Sequence, residues 1–261
     1  MGYLLGAMGF VVQRKCMMGR KFGRRIPKTW EHVEKYPFHK MEAKLRKLGT
    51  EFPEVVEKEL ELPKWAIAYY DQHPYNACVG YSLSMSQSIH NKKPYKALWL
   101  YWQSTLVDND PETNPSSDSG AYIWAAMSIL QKRGHRLENR LHPSKLEGIY
   151  SYYWGENVDD LRKAIGVNRT VILGINWYAN FGSPELVGWE YWIGRGNLGM
   201  ILGGHAVCCY GASDERQAFK FVNTWGTAYP PVWIDYDLTG MLLEQGGEAG
   251  IGLDVKSLKK R

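Results

Sequence analysis

Three residues in separate parts of the chain have the types and positions needed for nucleophilic catalysis by a thiol. Cys78 follows the turn residues Pro74 and Asn76 and opens an apolar stretch that predicts a helix. At a helix start, unpaired backbone N–H groups and the helix dipole favour a thiolate. His205 begins an apolar strand behind two glycines, which leave room beside its ring. Asn223 ends the next predicted strand, so antiparallel pairing would place its amide against the imidazole.

A fourth residue supplies the group that thiol chemistry needs at the carbonyl oxygen. Gln72 stands six positions before Cys78, so its side-chain N–H and the Cys78 backbone N–H could form an oxyanion hole. Trp225 follows Asn223 closely and could shield the bond between Asn223 and His205 from water. A lone cysteine is more often a small buried apolar residue, so the hypothesis depends on all four residues together.

The segments that carry these residues resemble the papain family of cysteine peptidases. Residues 71–78 (DQHPYNAC) are similar to the family segment with the oxyanion glutamine and the nucleophile, and residues 204–207 (GHAV) look like its histidine segment. Residues 222–226 (VNTWG) resemble the family's Asn-Ser-Trp-Gly. His205 and Asn223 follow Cys78 by 127 and 145 positions, against a separation of about 130 to 150 in the family. The resemblance runs from about Leu62 to Leu238 and includes residues 118–120 (DSG), which are similar to a helix-opening segment of bacterial and phage-type members.

This resemblance implies a mechanism and a fold. Cys78 would attack a peptide carbonyl, His205 would carry the proton, Asn223 would orient His205, and Gln72 would stabilise the oxyanion. The implied fold is α+β and two-lobed, with a helical N-terminal lobe, an antiparallel β C-terminal lobe and the active site between them. The substrate would be a protein or peptide, and no cofactor or metal is expected.

The sequence also departs from the family pattern around the nucleophile. Val79 stands where an aromatic residue is usual, and Tyr75 replaces a cysteine, so the family disulfide from that position is not expected. Thr224 stands for the usual serine, and His73, Pro74 and Asn76 replace glycines between Gln72 and Cys78. Residues 1–62 do not resemble the long helical inhibitory propeptide of eukaryotic members, so self-processing does not follow from the resemblance.

The periodicity of apolar residues separates a helical part from a strand-rich part. Helices are predicted near residues 40–48, 78–89, 95–106, 119–132 and 158–165, and strands at 170–177, 205–210, 218–222 and 232–236. This order independently favours an α+β fold. We predict three regions: an extension with a basic arm at 1–62, a peptidase domain at 63–245, and a basic tail at 246–261.

The net charge of +5 is unevenly distributed. Residues 1–30 carry +7 without any acid and residues 256–261 carry +4, so subtracting these +11 from +5 leaves −6 for residues 31–255. An anionic partner, whether nucleic acid, lipid or acidic protein, would therefore bind the basic ends. Solvated ends are the simpler interpretation.

Several classes of protein are disfavoured. Four cysteines cannot staple a chain of 261 residues as a disulfide scaffold. Neither a secretory signal nor a transmembrane segment is evident, which favours a cytoplasmic or virion-associated protein over a classically secreted one. Residues 194–199 (GRGNLG) match a dinucleotide-binding pattern but precede a strand instead of a helix, so we interpret the match as chance.

Two other functions remain open. The fold could serve as a structural or binding module, for example in a virion, with little or no activity. Alternatively, the thiol chemistry could act on cell-wall peptides or isopeptide bonds. An aromatic cluster could line the cleft or simply pack, and comprises Trp177, Tyr178, Trp189, Tyr191 and Trp192.

Overall fold

The computed structural model describes residues 22–107 and 118–254. Eight α-helices occur within these ranges: α1 Glu31–Lys35, α2 Phe38–Lys47, α3 Lys64–Tyr69, α4 Cys78–Asn91, α5 Ala97–Thr105, α6 Ile123–Lys132, α7 Val158–Gly166 and α8 Tyr236–Glu244. The same ranges contain nine strands: β1 Glu57–Glu59, β2 Ile149–Gly155, β3 Val171–Tyr178, β4 Glu185–Val187, β5 Glu190–Ile193, β6 Ile201–Ser213, β7 Ala218–Val222, β8 Val232–Asp235 and β9 Glu248–Asp254. This content confirms the α+β fold class.

The strands form one mostly antiparallel sheet. Its order is β2-β9-β3-β6-β7-β8-β5-β4, and β1 pairs with β6 beside this path. Only the pairing of β5 with β8 is parallel among the strand pairs of the described residues. The long strand β6 therefore lies between β3, which pairs with it at His205, and β7, which pairs with it from Cys208 onwards.

Helix α4 joins the helical part to the sheet. Eleven of its fourteen residues are buried, including the serines at 82, 84, 86 and 88. Buried hydroxyls need partners, and the Ser82 hydroxyl donates to the Ala206 carbonyl of β6 over 2.8 Å. This bond joins the first turn of α4 to the strand that carries His205, so the site predicted between the two lobes has its parts on facing elements.

Most predicted elements are found with shifted ends. The four predicted strands correspond to β3, β6, β7 and β8, and the five predicted helices to α2, α4, α5, α6 and α7. Helix α6 begins at Ile123 and not near 119, because Asp118 and Gly120 adopt positive φ angles of 47° and 96°. Strands β1, β2, β4, β5 and β9 and helices α1, α3 and α8 are not among the predicted elements.

The two ends of the described chain are integrated with the core. In α2, which lies in the predicted extension, Phe38, Met41 and Leu45 are buried in the same apolar cluster as Cys78. Residues 248–254 were assigned to the basic tail, and this was wrong: they form β9, which lies between β2 and β3 with its apolar residues buried. Four of its seven residues are glycine or acidic (Glu248, Gly250, Gly252 and Asp254), which obscures the strand pattern in the sequence.

Much of the predicted basic region lies outside the described residues. Of the basic residues at the two ends, only Arg24, Arg25 and Lys28 fall within them, so the anion-binding hypothesis stays a prediction. Across residues 22–107 and 118–254, no helix combines the length and the apolar character needed to cross a membrane.

Candidate active site

Cys78 is the first residue of α4 and is completely buried. The loop before it is held by Asp118, whose carboxylate accepts hydrogen bonds from the Asn76 backbone N–H and the Tyr101 hydroxyl, both over 2.9 Å. The backbone of Ala206, the residue after His205, hydrogen-bonds to the Cys78 thiol. The structure thus brings the predicted nucleophile against the strand that carries the predicted base.

His205 and Asn223 meet as the sequence predicted. His205 Nε2 lies 2.8 Å from Asn223 Oδ1, which also accepts the Thr224 backbone N–H over 2.7 Å. Because this amide oxygen can only accept, Nε2 carries the proton of the neutral imidazole. Nδ1 is then the basic nitrogen, and among the described residues it has no hydrogen-bond partner. A histidine in this tautomer is prepared to accept a proton at Nδ1.

Aromatic rings enclose the imidazole. The Trp177 ring meets it edge-on at 4.7 Å and the Trp225 ring lies at 5.1 Å, measured between ring centroids. Both tryptophans are fully buried, so they keep water from the bond between His205 and Asn223. Trp225 has the shielding position predicted for it, and Trp177 belongs to this enclosure. Trp189, by contrast, is 96% exposed and lies in a different surface pocket with Trp233.

Gln72 is tied to the segment that carries Asn223. Its backbone N–H donates to the Thr224 carbonyl over 2.9 Å, and its side-chain Oε1 accepts the Thr224 hydroxyl over 2.7 Å. Nε2 donates to the Tyr75 carbonyl over 3.1 Å. These bonds fix which end of the amide is the donor. Thr224 stands where the family has serine, and its hydroxyl makes the hydrogen bond that orients the Gln72 amide.

A segment from the N-terminal region lies across the thiol and the histidine. The Gly23 backbone hydrogen-bonds to the Cys78 thiol, and the Phe22 ring meets the His205 ring edge-on at 5.7 Å. The Arg24 N–H donates to the Gly204 carbonyl over 3.0 Å, and the Ala121 N–H donates to the Gly23 carbonyl over 2.7 Å. We call residues 22–25 the covering segment, because they occupy the space in front of the candidate nucleophile.

Arg24 anchors the covering segment through its side chain. Its Nε donates to Glu248 Oε1 over 3.2 Å and its Nη2 to the Gly246 carbonyl over 2.8 Å. Neither side chain of the Arg24–Glu248 pair is exposed to solvent. Sequence reasoning missed this pair, since 224 positions separate the two residues and no local pattern links them.

Burial behind the covering segment changes the titration of both candidate catalytic groups. Burial raises the pKa of the Cys78 thiol to about 11, although backbone hydrogen bonds from Ala206, Gly23 and Val79 oppose the shift. Burial also lowers the pKa of His205 to about 4, against the hydrogen bond to Asn223. The thiolate expected from the helix start is therefore not the form of Cys78 in this covered state. Thiol and imidazole are both neutral near pH 7.

The other two described cysteines have no such surroundings. Cys208 and Cys209 lie in the middle of β6 and are completely buried, and burial raises the pKa of each thiol well above its ordinary value. Both lie within a strand and not at a helix start. In the same ranges, His, Cys, Asp and Glu residues form no cluster of three suited to a metal ion.

The fold is similar to the folds of several solved protein structures. No protein-family profile and no curated protein sequence matches the chain. Among solved structures, it is similar to xylellain, a cysteine protease from Xylella fastidiosa, with a TM-score of 0.60 and 18% identity over 90% of this chain and 92% of that one. Procathepsin B S9 from Trypanosoma congolense gives 0.58 and 16% over 90% and 87% of the two chains.

A third similar structure is digestive procathepsin L2 from Tenebrio molitor, with a TM-score of 0.56 and 14% identity over 92% of this chain and 80% of that chain. At identities this low, the structural similarity establishes the fold alone. The bacterial or phage-type subtype stays a prediction. In its α+β architecture, the chain has the papain-like fold of these cysteine proteases.

Proposed function

We propose that the chain is a cysteine peptidase whose nucleophile is Cys78. The observation that carries this proposal is the pairing of His205 Nε2 with Asn223 Oδ1, which leaves the basic Nδ1 beside the strand residue that contacts the Cys78 thiol. The likeness to cysteine proteases supports the proposal at the level of the fold.

The proposed reaction has two stages. His205 Nδ1 takes the proton of Cys78, whose sulfur forms a bond to the peptide carbonyl carbon. The Cys78 backbone N–H and Gln72 Nε2 stabilise the oxyanion, the C–N bond breaks, and Nδ1–H gives its proton to the leaving amine. Water then attacks the thioester with His205 again as the base, which releases the acid product and restores the thiol.

The covering segment has to leave before a substrate can reach Cys78. In the described state the Gly23 backbone is on the thiol and the Phe22 ring is on the imidazole, so no carbonyl can approach. Removing this segment also lets water reach both groups, which reverses the burial that keeps the thiol and the imidazole neutral. We therefore assign the described state to a latent form of the enzyme.

The test is labelling and hydrolysis in matched variants. A site-specific protease site is inserted between Lys28 and Thr29, both exposed, and the folded full chain is cut there. An epoxysuccinyl probe should then label Cys78, and casein should be hydrolysed. Cys78→Ala should abolish both, whereas Cys209→Ala, which also removes one buried thiol, should retain them. Failure to label Cys78 in the cut chain would refute the proposal.

A buried covering segment is also compatible with a second function, that of a structural or binding module without catalytic activity. In that second function, the segment would stay in place and Cys78 would remain unreactive even after the chain is cut.

A third function, hydrolysis of cell-wall peptides or isopeptide bonds, keeps the same thiol chemistry. Zymography on peptidoglycan and on casein distinguishes this function from protein hydrolysis. Clearing of peptidoglycan alone would indicate that the substrates are cell-wall peptides and not proteins.

A further inference from the structure

The loop after helix α6 concentrates positive charge on the folded part of the chain. Residues 132–146 (KRGHRLENRLHPSKL) contain five basic residues and one acid, and so carry +4. We call them the basic loop. Because residues 31–255 carry −6 in total, subtracting this +4 leaves −10 for the rest of them. The basic loop therefore differs in sign from the body that carries it, and anions are attracted to this side of the body.

The basic side chains of this loop are not neutralised by neighbouring acids. Within the described part of the chain, none of the five forms an ion pair. Glu138, the acid of the loop, instead pairs with Lys96 over 3.7 Å and accepts the Tyr69 hydroxyl. Like charges held together without counter-charges repel, so an anionic partner would stabilise them. All five are exposed except the half-buried arginine at 136, and they are Lys132, Arg133, Arg136, Arg140 and Lys145.

Two leucines of the same loop are exposed among these cations. Leu141 is 79% exposed and Leu146 is 63% exposed, which are the highest values of any leucine among the described residues. Leu141 lies between Arg140 and His142 in the sequence, and Leu146 follows Lys145. Leucine is stabilised by leaving water, whereas the cations beside it are stabilised by anions. The basic loop therefore fits a partner that offers both an apolar layer and negative charge.

The fold fixes the base of the basic loop. Gly134 has a φ angle of 81°, and a Cβ there would lie 1.9 Å from the Ser144 carbonyl oxygen, so only glycine fits. The Ser144 N–H donates to the His135 carbonyl over 3.0 Å and closes the loop. His135 is completely buried, and its Nε2 lies 2.8 Å from the Ser84 hydroxyl of α4. Because the base is anchored in the core, little ordering is needed when the loop binds a partner.

We propose that the basic loop binds the surface of a bilayer that contains anionic phospholipids. The basic side chains contact the phosphate headgroups, and Leu141 and Leu146 enter the boundary between headgroups and acyl chains. A nucleic acid also offers phosphates, but it has no apolar layer for leucine, and single strands stack their bases on aromatic rings. Residues 132–146 contain no Phe, Tyr or Trp. The inference uses no residue of the candidate active site and does not depend on the proposed peptidase function.

The test is co-sedimentation of the full, uncut chain with vesicles. Vesicles of phosphatidylcholine alone are compared with vesicles that also contain phosphatidylserine, and only the latter should bind the chain tightly. Arg140→Gln combined with Lys145→Gln should weaken this binding at least about tenfold, because each basic residue near an anionic surface contributes to it. Leu141→Ser combined with Leu146→Ser leaves the charge unchanged and should also weaken binding about tenfold.

Matched control variants come from the other end of the sheet. Arg195→Gln combined with Arg216→Gln removes two charges from arginines that lie over the rings of Trp192 and Trp233. Leu186→Ser removes a leucine of β4 that is 57% exposed. These controls should bind the phosphatidylserine vesicles as tightly as the unsubstituted chain does.

Hydrogen exchange with mass spectrometry locates the contact separately from the basic ends of the chain. Phosphatidylserine vesicles should slow exchange in residues 136–146 and leave residues 185–193 unchanged. Equal binding to both kinds of vesicle, or unchanged binding of the two loop variants, would overturn the inference. Weakening by the charge substitutions alone, without any effect of the leucine substitutions, would also overturn it. Tighter binding of a duplex oligonucleotide than of the vesicles, lost in the same charge variant, would replace the bilayer with a nucleic acid.

Discussion

Removing the guanidinium of Arg24 should open the cleft of the uncut chain. The covering segment is held by backbone hydrogen bonds with Gly204 and Ala121 and by the two side-chain bonds of Arg24. Arg24→Ala removes only the side-chain bonds. It leaves Glu248 buried without its partner in the closed state, whereas opening gives this carboxylate access to water.

The size of the effect follows from the burial of the pair. Neither side chain is exposed, and losing one partner of a buried ion pair is unfavourable by about 3 kcal/mol. This penalty falls on the closed state, so the free energy of opening decreases by the same amount. Since about 1.4 kcal/mol corresponds to a factor of ten, the open population should rise about a hundredfold.

The assay is the rate at which iodoacetamide alkylates Cys78, followed by peptide mass spectrometry. When opening and closing are fast relative to alkylation, the rate is proportional to the open population, so Arg24→Ala should react about a hundredfold faster. Arg46→Ala removes a surface pair with Glu42 within α2 and should have no effect. An unchanged rate in Arg24→Ala, or equal acceleration at Cys208, would refute the reasoning.

Three further predictions concern the proposed machinery and the buried histidines. Asn223→Ala removes a hydrogen bond to the imidazolium and should lower kcat about 10- to 100-fold with little change in KM. Steady-state kinetics of the cut chain measures both constants, and an unchanged kcat would contradict this prediction. Gln72→Ala should lower kcat by about 10² to 10³ through loss of an oxyanion donor and still leave measurable turnover, whereas Cys78→Ala should leave none. Burial lowers the pKa of His135 to about 3 and of His205 to about 4. Below about pH 6.5 the unfolded chain therefore binds more protons than the folded chain. The free energy of unfolding should consequently fall as the pH drops towards 4. Between pH 7.5 and 4.5, the free energy of unfolding measured in urea should fall by about 2 to 3 kcal/mol less in His135→Gln than in the unsubstituted chain. An equal fall in both proteins would contradict this.

Local sequence patterns were sufficient to predict the elements that carry the candidate site. The apolar stretch after Cys78, the strand behind two glycines at His205, and the strand that ends before Asn223 each have a periodicity visible within ten residues. The contact between His205 and Asn223 then followed from antiparallel pairing of neighbouring strands. Short sequence separation made this part of the site predictable.

The covering segment could not be predicted because its contacts span most of the chain. Arg24 meets Glu248 across 224 positions, and the strand that carries Glu248 is interrupted by two glycines. The basic composition of residues 1–30 indicated solvated ends, yet one arginine of that region is buried. Its burial depends on an acid at the opposite end of the chain, and composition carries no information about such a pairing.

The covering segment also explains why Cys78 is not a thiolate in this state. A helix start favours a thiolate only where the sulfur keeps polar or aqueous surroundings. Here the covering segment buries the thiol, and desolvation outweighs the backbone hydrogen bonds that favour the charged form. The state of the nucleophile is therefore set by residues 22–25 as much as by its own helix.

The most direct test of the central claim is the pH dependence of Cys78 alkylation in the chain cut between Lys28 and Thr29. A working pair with His205 predicts that Cys78 titrates well below the ordinary cysteine value of about 8.5, and that His205→Ala returns it to about that value or above. If His205→Ala leaves the titration of Cys78 unchanged, the two residues do not act as a pair and the proposed peptidase mechanism is wrong.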